Sequence, residues 1–286
     1  MQSAATVARA RALASALPRP LGFVPTMGAL HEGHLELVRQ ACERCAAVVA
    51  SIFVNPLQFA PNEDLATYPR DVEHDREKLA AAGVDALFEP DAAAMYRANF
   101  STFVEVEPLG AVFEGAQRPG HFRGVATVIA KLLNIVQPDV LFLGQKDAQQ
   151  AVLLRKMIAD LDFLVDVEVV PTVREPDGLA RSSRNRYLDS TQRAEAVTLH
   201  KALCTTLQAL KGGARKADAL LAGAARLSSS AQLDYIELVD AETFEPIEDL
   251  RPPAFVIGAA RFGRTRLIDN LWVPLRQAQD GLKNGG

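Results

Sequence analysis

No apolar run in the chain approaches the ~20 residues that a membrane-spanning helix requires; the longest, such as AFVIGAA near residue 254, stop far short of it. The first twenty residues carry Arg9, Arg11 and Arg19 but no continuous apolar core ahead of a small-residue cleavage site. That argues against a secretory signal and makes the cytoplasm the expected location. Cysteine is scarce. Cys42, Cys45 and Cys204 are too few and too unevenly spaced for a disulfide framework in 286 residues, which again fits a reducing compartment. The chain also lacks an excess of positive charge: 31 Lys plus Arg stand against 35 Asp plus Glu. Nucleic acid is therefore disfavoured as the main partner, and any anion-binding site must be local.

What is present is an ordinary globular composition. With 49% hydrophobic and 23% charged residues, neither disorder nor a fibrous fold is indicated, and the length suits two domains or one large one. From residue 21 onward, β-rich runs alternate with helical stretches: LGFVP, HLELVRQACERCAA, VVASIFV, DVEHDREKLAAAG and VDALFEP. A second block continues with GVATVIAKLLNIV as a mostly buried helix, VLFLG as a strand, AQQAVLLRKMIADL as a helix and VDVEVVP as a strand. Alternation of this kind predicts an α/β fold with a Rossmann-like, doubly wound parallel sheet running to about residue 171.

The next stretch, VREPDGLARSSRNRYLD, is rich in Arg, Ser, Asp and Gly and reads as a long functional loop or hinge. Beyond it, a helix from about Ser190 to Leu210 ends at Gly212 and Gly213, and ADALLAGAARL forms a second helix. LDYIELVD, AFVIGAARF and RLIDNLWV read as strands of a small antiparallel sheet. The predicted division is a domain over 1–171 and a smaller C-terminal α+β domain over 172–286. The closing QAQDGLKNGG has the composition of a disordered tail.

Chemistry points first to Pro25–His34, at the predicted carboxyl end of a strand, where a helix N-terminus offers unpaired N–H groups to an anion. Gly28 and Gly33 have the G-x-x-x-x-G spacing of a P-loop, but His34 and Leu35 stand where that motif needs Lys and Ser or Thr. What remains is H-x-G-H, two imidazoles three residues apart around a glycine that permits close backbone approach. A zinc site would need the i, i+4 spacing and a third ligand, and neither is evident. The bland alternative is that His31 merely caps a loop and His34 starts a helix. Cys42 and Cys45 form C-x-x-C, but inside the predicted helix, where Leu35, Val38, Cys42 and Cys45 make one buried stripe. Two buried thiols explain them better than redox chemistry does.

PTMGALHEGH, SIFVNPLQF, RPGHFRGVATV, GQKDAQQ, GLARSSRNRYL and RLIDN together run from about residue 22 to 270. In that order and spacing they resemble the pantothenate synthetase family, a branch of the HxGH nucleotidylyltransferase superfamily. The resemblance implies condensation of pantoate with β-alanine, with ATP split to AMP and pyrophosphate through a pantoyl-adenylate. A carboxylate is already a nucleophile at pH 7, so the first step needs in-line positioning and stabilisation of charge at phosphorus.

By that resemblance His31, His34, Lys146 and Arg184 are the catalytic positions, with His34 matching the residue usually assigned as proton donor. ATP contacts are implied for Met27, Gly28, Ala29, Leu30, His31, Glu32, Gly33, His34, Gly144, Gln145, Lys146, Asp147, Val173, Arg181, Ser182, Ser183 and Arg184. Ser182 to Arg184 look like the superfamily's second phosphate-binding signature. Gln58 matches a position that contacts pantoate and β-alanine, and Gln150 one that contacts pantoate. Amide side chains suit a ligand with hydroxyls and a carboxylate. Asn55, Tyr68, Arg118 and His121 take secondary roles. Mg²⁺ is expected with the nucleotide on phosphate oxygens, not in a protein cage, and a homodimer is implied.

Two positions depart from the family pattern: Gln145, where Glu is usual, and Arg181, where an apolar residue is usual. Rival readings are a nucleotidylyltransferase acting on a phosphorylated acceptor, which would release no free AMP, and a non-catalytic nucleotide sensor on the same fold.

Overall fold

A computed structural model of the chain describes residues 1–60, 63 and 65–275. Each apolar run that alternates with a helical stretch becomes a parallel strand. The elements, in order, are β1 (Gln2–Ala4), α1 (Val7–Ala16), β2 (Leu21–Thr26), α2 (Glu32–Arg44), β3 (Ala47–Ile52), α3 (Val72–Ala81) and β4 (Ala86–Phe88). Two short helices follow, α4 (Ala92–Met95) and α5 (Glu114–Gln117), then α6 (His121–Val136), β5 (Val140–Gly144), α7 (Ala148–Asp160) and β6 (Asp166–Val170). All neighbouring pairs are parallel, in the order β1-β4-β3-β2-β5-β6.

The four central strands, β2 to β5, are apolar at nearly every position because both faces are covered, as a parallel sheet requires, whereas the edge strands β1 and β6 carry exposed polar residues. Alternation within each strand divides the side chains between two cores. Leu21, Phe23, Val49, Leu141 and Leu143 pack with α1, α6 and α7 on one side. Val24, Val48, Ala50 and Phe142 pack with α2 and α3 on the other. The edge strand β1 and helix α1, which starts at the Thr6 cap, were not among the elements predicted from the pattern.

The buried stripe of α2 differs from the expected one. Leu37, Val38 and Ala41 are its buried residues, whereas Cys42 is exposed and Cys45 is the half-buried C-cap. The helix begins at Glu32, inside the HEGH segment, and the sheet selects the face centred on Val38 and Ala41. Cys42, the next residue, is turned ~100° from Ala41 around the helix axis and so leaves that face. Burial pushes both thiols above their usual range, so neither is an activated thiolate.

The chain divides into two compact units, Met1–Arg186 and Tyr187–Gly286. The Arg/Ser-rich segment expected to open a second domain thus groups with the first. It forms a narrow hairpin, with Arg174 bridged to Ala180 and the Arg181 N–H donating to the Val173 carbonyl at 3.0 Å. A 3₁₀ turn over Ser183–Tyr187 follows. The second unit contains α8 (Ser190–Lys211), α9 (Lys216–Ala224) and an antiparallel sheet of β7 (Gln232–Asp240), β8 (Ala254–Phe262) and β9 (Thr265–Val273), in that order. Its core joins Leu203 and Leu210 of α8 to Ile236, Leu238 and Val256 of the sheet. The QAQDGLKNGG tail lies outside the described residues. Among the described residues no helix is long and apolar enough to cross a membrane.

Candidate active site

The sheet itself indicates where a ligand belongs. After β2 the chain turns to β3 on one side, while the other neighbour of β2 is β5, reached only later. The carboxyl ends of β2 and β5 therefore flank the topological switch point, the place where open α/β sheets bind ligands. Thr26 ends β2 and leads into Met27–His31, and Gly144 ends β5 and leads into Gln145–Asp147. The two segments singled out in the sequence are thus brought to one crevice.

His31 and His34 form a reciprocal cap at the start of α2. The Gly33 N–H donates to His31 Nδ1 at 3.1 Å, and the His31 N–H donates to His34 Nδ1 at 3.4 Å. This is the geometry of a capping box built from two imidazoles. The ring centroids lie 4.1 Å apart. A backbone N–H can only donate, so each Nδ1 must be unprotonated. Burial, then the neighbouring His34 and Lys146, pushes the His31 pKa down to about 3. Burial lowers His34 to about 4, with Asp147 opposing and Lys146 adding to the shift. Both rings are therefore neutral at pH 7, with the single proton on Nε2, facing away from the cap.

Gly33 has a local reason to be glycine. A Cβ there would stand 2.9 Å from His31 Cε1 and 3.0 Å from Nδ1, so any side chain would displace the capping ring. To the expected close approach of a phosphate the structure adds a steric demand from His31. Most of the N–H groups of the loop and helix start are engaged within the protein. The Gly28 N–H donates to Thr26 Oγ1, those of Ala29 and Leu30 to Asp75, and those of His34 and Leu35 to the His31 carbonyl. With these donors engaged, the loop presents side-chain donors, chiefly imidazole Nε2–H.

Lys146 lies 3.1 Å from Asp147 Oδ1, and both act electrostatically on His31 and His34. Burial alone would raise the Asp147 pKa, but Lys146, with Arg184 and His121, outweighs it and holds the carboxyl below its usual range. Arg181 is close enough to His31 to depress its pKa and pairs with Glu175 at 3.6 Å. Ser182 Oγ accepts the Arg184 N–H at 3.3 Å, which shapes the turn carrying that guanidinium. His31, His34, Lys146, Asp147, Arg181 and Arg184 thus share one electrostatic neighbourhood, and all belong to the first compact unit.

Gln58 is 8% exposed and tied to the same crevice, its Nε2 lying 3.1 Å from Met27 Sδ. Asn55 donates to Gln58 Oε1 at 3.0 Å and is itself held by the Tyr96 hydroxyl at 2.7 Å. His121 Nδ1 contacts the Gln58 carbonyl at 2.9 Å, while Arg118 reaches His121 Nε2 at 3.0 Å and forms a two-toothed ion pair with Glu63. Gly124 allows this packing, since a Cβ on it would lie 2.3 Å from the Leu57 carbonyl oxygen. Gln150 is half-buried in the first turn of α7, beside the buried Gln149, which ties down the Leu109 and Val112 carbonyls. Among the described residues no group of three or more His, Cys, Asp or Glu side chains could cage a metal.

Comparison with known proteins shows the family. The sequence model of the Pantoate-beta-alanine ligase family matches residues 2–272. The chain belongs to that family. It is 51% identical over 255 residues to the pantothenate synthetase of Pelotomaculum thermopropionicum, covering 88% of this chain and 90% of the relative. To that of Acidobacterium capsulatum it is 53% identical over 256 residues, covering 88% and 86%. The crystal structure of pantothenate synthetase from Thermus thermophilus superposes with a TM-score of 0.92 at 50% identity, covering 96% of this chain and all of that one. The Francisella tularensis pantoate-beta-alanine ligase, solved with beta-gamma ATP and beta-alanine, superposes at 0.78 with 34% identity over 95% of this chain and 97% of that one.

Two residues of this site carry no signal in the sequence. Asp75 and Lys78 of α3 bind the loop before His31, yet in DVEHDREKL they are indistinguishable from a solvated helix face.

Proposed function

We propose that this chain joins pantoate to β-alanine at the expense of ATP, releasing AMP and pyrophosphate through a pantoyl-adenylate. The observation that carries the proposal, beyond family membership, is the capped imidazole pair, each Nδ1 engaged by a backbone N–H and each Nε2–H left to donate, in the electrostatic neighbourhood of Lys146. The pantoate carboxylate attacks the α-phosphorus of ATP, and the bond from that phosphorus to the α,β-bridging oxygen breaks to release pyrophosphate. His31, His34, Lys146 and Arg184 donate to the phosphate oxygens on which charge gathers. Preorganised donors of this kind contribute ~3–4 kcal/mol each when tested by removal. The β-alanine amine then attacks the acyl carbon, AMP leaves, and the amine proton passes to solvent or base.

Met27 to His34, Gly144 to Asp147, Val173 and Arg181 to Arg184 form the ATP site in this reading, and Gln58 and Gln150 bond the pantoate hydroxyls. The residues suit an Mg²⁺ ion carried on phosphate oxygens, where its role is to offset phosphate charge. A cytoplasmic homodimer, with the smaller C-terminal unit serving as a lid and dimer-associated part, completes the proposal.

The test is ATP–pyrophosphate exchange without β-alanine. Labelled pyrophosphate should enter ATP when pantoate alone is supplied, and pantoate stripped of its hydroxyls should support this poorly, because Gln58 and Gln150 lose their partners. Exchange that depends strictly on β-alanine would overturn the adenylate-first order. Exchange only with a phosphorylated acceptor would reassign the chain to nucleotidyl transfer.

A further inference from the structure

The loop between β2 and α2 is shaped by a neighbour rather than by its own sequence. Gly28 has φ +79° and Ala29 φ +52°, so two successive residues are left-handed, and the second is not a glycine. An L-residue adopts that conformation only where its surroundings impose it. Here the surroundings are α3. Asp75, 2% exposed, accepts the Ala29 N–H on Oδ2 at 2.7 Å and the Leu30 N–H on Oδ1 at 2.8 Å. Lys78, one helical turn further on, donates to the Leu30 carbonyl at 2.8 Å. The fit is close, since a Cβ on Gly28 would stand 3.0 Å from Asp75 Oδ2. The next residue in the chain is His31, whose ring caps α2 and whose backbone N–H donates to the ring of His34.

We propose that Asp75 and Lys78 are positioning residues for the adenylation step, clamping residues 29 and 30 so that the two imidazoles hold one tautomer and one orientation. The Asp75 carboxylate fills, from inside the protein, the anion position that the Ala29 and Leu30 N–H groups would otherwise offer a phosphate. It thereby assigns phosphate recognition to the imidazole Nε2–H groups. Neither residue touches a reacting atom; both act through His31 and His34. The catalytic part of this inference rests on the proposed ligase reaction, whereas the clamp itself does not.

Asp75→Asn replaces one accepting oxygen with an N–H₂ group that opposes a backbone N–H, and Lys78→Met removes the tie to Leu30 at similar length. Among the five histidines, ¹⁵N labelling reads tautomers directly. In the wild type His31 and His34 should show unprotonated Nδ1 and protonated Nε2; in Asp75→Asn both should move and mix tautomers while His200 stays in place. Pantoate-driven ATP–pyrophosphate exchange should lose roughly 10- to 100-fold in kcat, the scale of an ångström-sized misplacement, with the pantoate KM within about twofold. Lys78→Met should lose less, and Lys78→Arg should recover most of it. A folded Asp75→Asn with undisturbed His31 and His34 signals and exchange within about threefold of wild type overturns the proposal. If Asp75→Asn does not fold, the two Lys78 variants decide by the same readouts. Should the wild type show no pantoate-dependent exchange, the ligase reading fails, and the tautomer measurement still decides whether the clamp exists.

Discussion

Replacing His34 by asparagine and by glutamine separates the two tasks of its imidazole. Nδ1 accepts the His31 N–H, a capping task, and Nε2–H is the donor to which the proposed function gives the catalytic one. Asparagine can place its Oδ1 where Nδ1 stands but has nothing at the Nε2 position. Glutamine can bring an N–H toward the Nε2 position but abandons the cap. Loss of an N-terminal cap costs ~0.5–2 kcal/mol, and a 3.4 Å bond belongs at the low end of that range. At roughly 2–4 °C per kcal/mol for a chain of this size, His34→Gln should melt only about 1–2 °C lower and His34→Asn close to the wild type. The rates should run the other way. Without the Nε2–H donor, His34→Asn should lose about 10²- to 10³-fold in pantoate-dependent ATP–pyrophosphate exchange, and His34→Gln should keep a clearly larger share. Thermal unfolding followed by circular dichroism, alongside exchange rates, measures both. Near-normal exchange in His34→Asn, or a glutamine variant no better than alanine, would falsify the assignment of the two nitrogens.

His121 is 9% exposed, and burial followed by the Arg118 charge lowers its pKa to about 4. The unfolded chain, with an ordinary value near ~6.5, therefore takes up that proton first on acidification. Stability should be full above pH ~6.5 and decline as pH falls toward 4, by up to ~1.4 kcal/mol per pH unit for this one group. Urea unfolding at pH 7.5, 6 and 5 should show a slope to which His31, His34 and His121 all contribute, and His121→Gln should reduce it by that one share; an unchanged slope in the variant rules out the buried neutral ring. Arg181→Leu removes a charge beside His31 that pairs with Glu175 at 3.6 Å. It should change the ATP KM while keeping kcat within several-fold, and a collapse of kcat at constant KM would make Arg181 a catalytic residue in this chain.

The sequence by itself determined the fold class, because a strand buried on both faces must be apolar at every position and a helix covering it must carry a stripe, and both patterns are local. LGFVP, VLFLG and GVATVIAKLLNIV needed no tertiary information to be read as two strands and a buried helix, and they became β2, β5 and α6. Residue type and spacing also singled out His31 and His34, and the family resemblance added Lys146, Arg181 and Arg184; the fold brings all five into one electrostatic neighbourhood. Other features waited for the tertiary structure. Which face of α2 is buried depends on the sheet beneath it, so Cys42 is exposed despite its place in an apolar period. Gly33 is required by the ring of His31, a contact that spacing cannot reveal. The protonated nitrogen of each imidazole follows from hydrogen bonds and burial, neither of which is written in H-x-G-H. Asp75 and Lys78 make the same point most plainly. Their carboxylate and ammonium differ in nothing from those of a solvated helix, and only the packing of α3 beside the loop after β2 turns them inward to hold the backbone that carries the site.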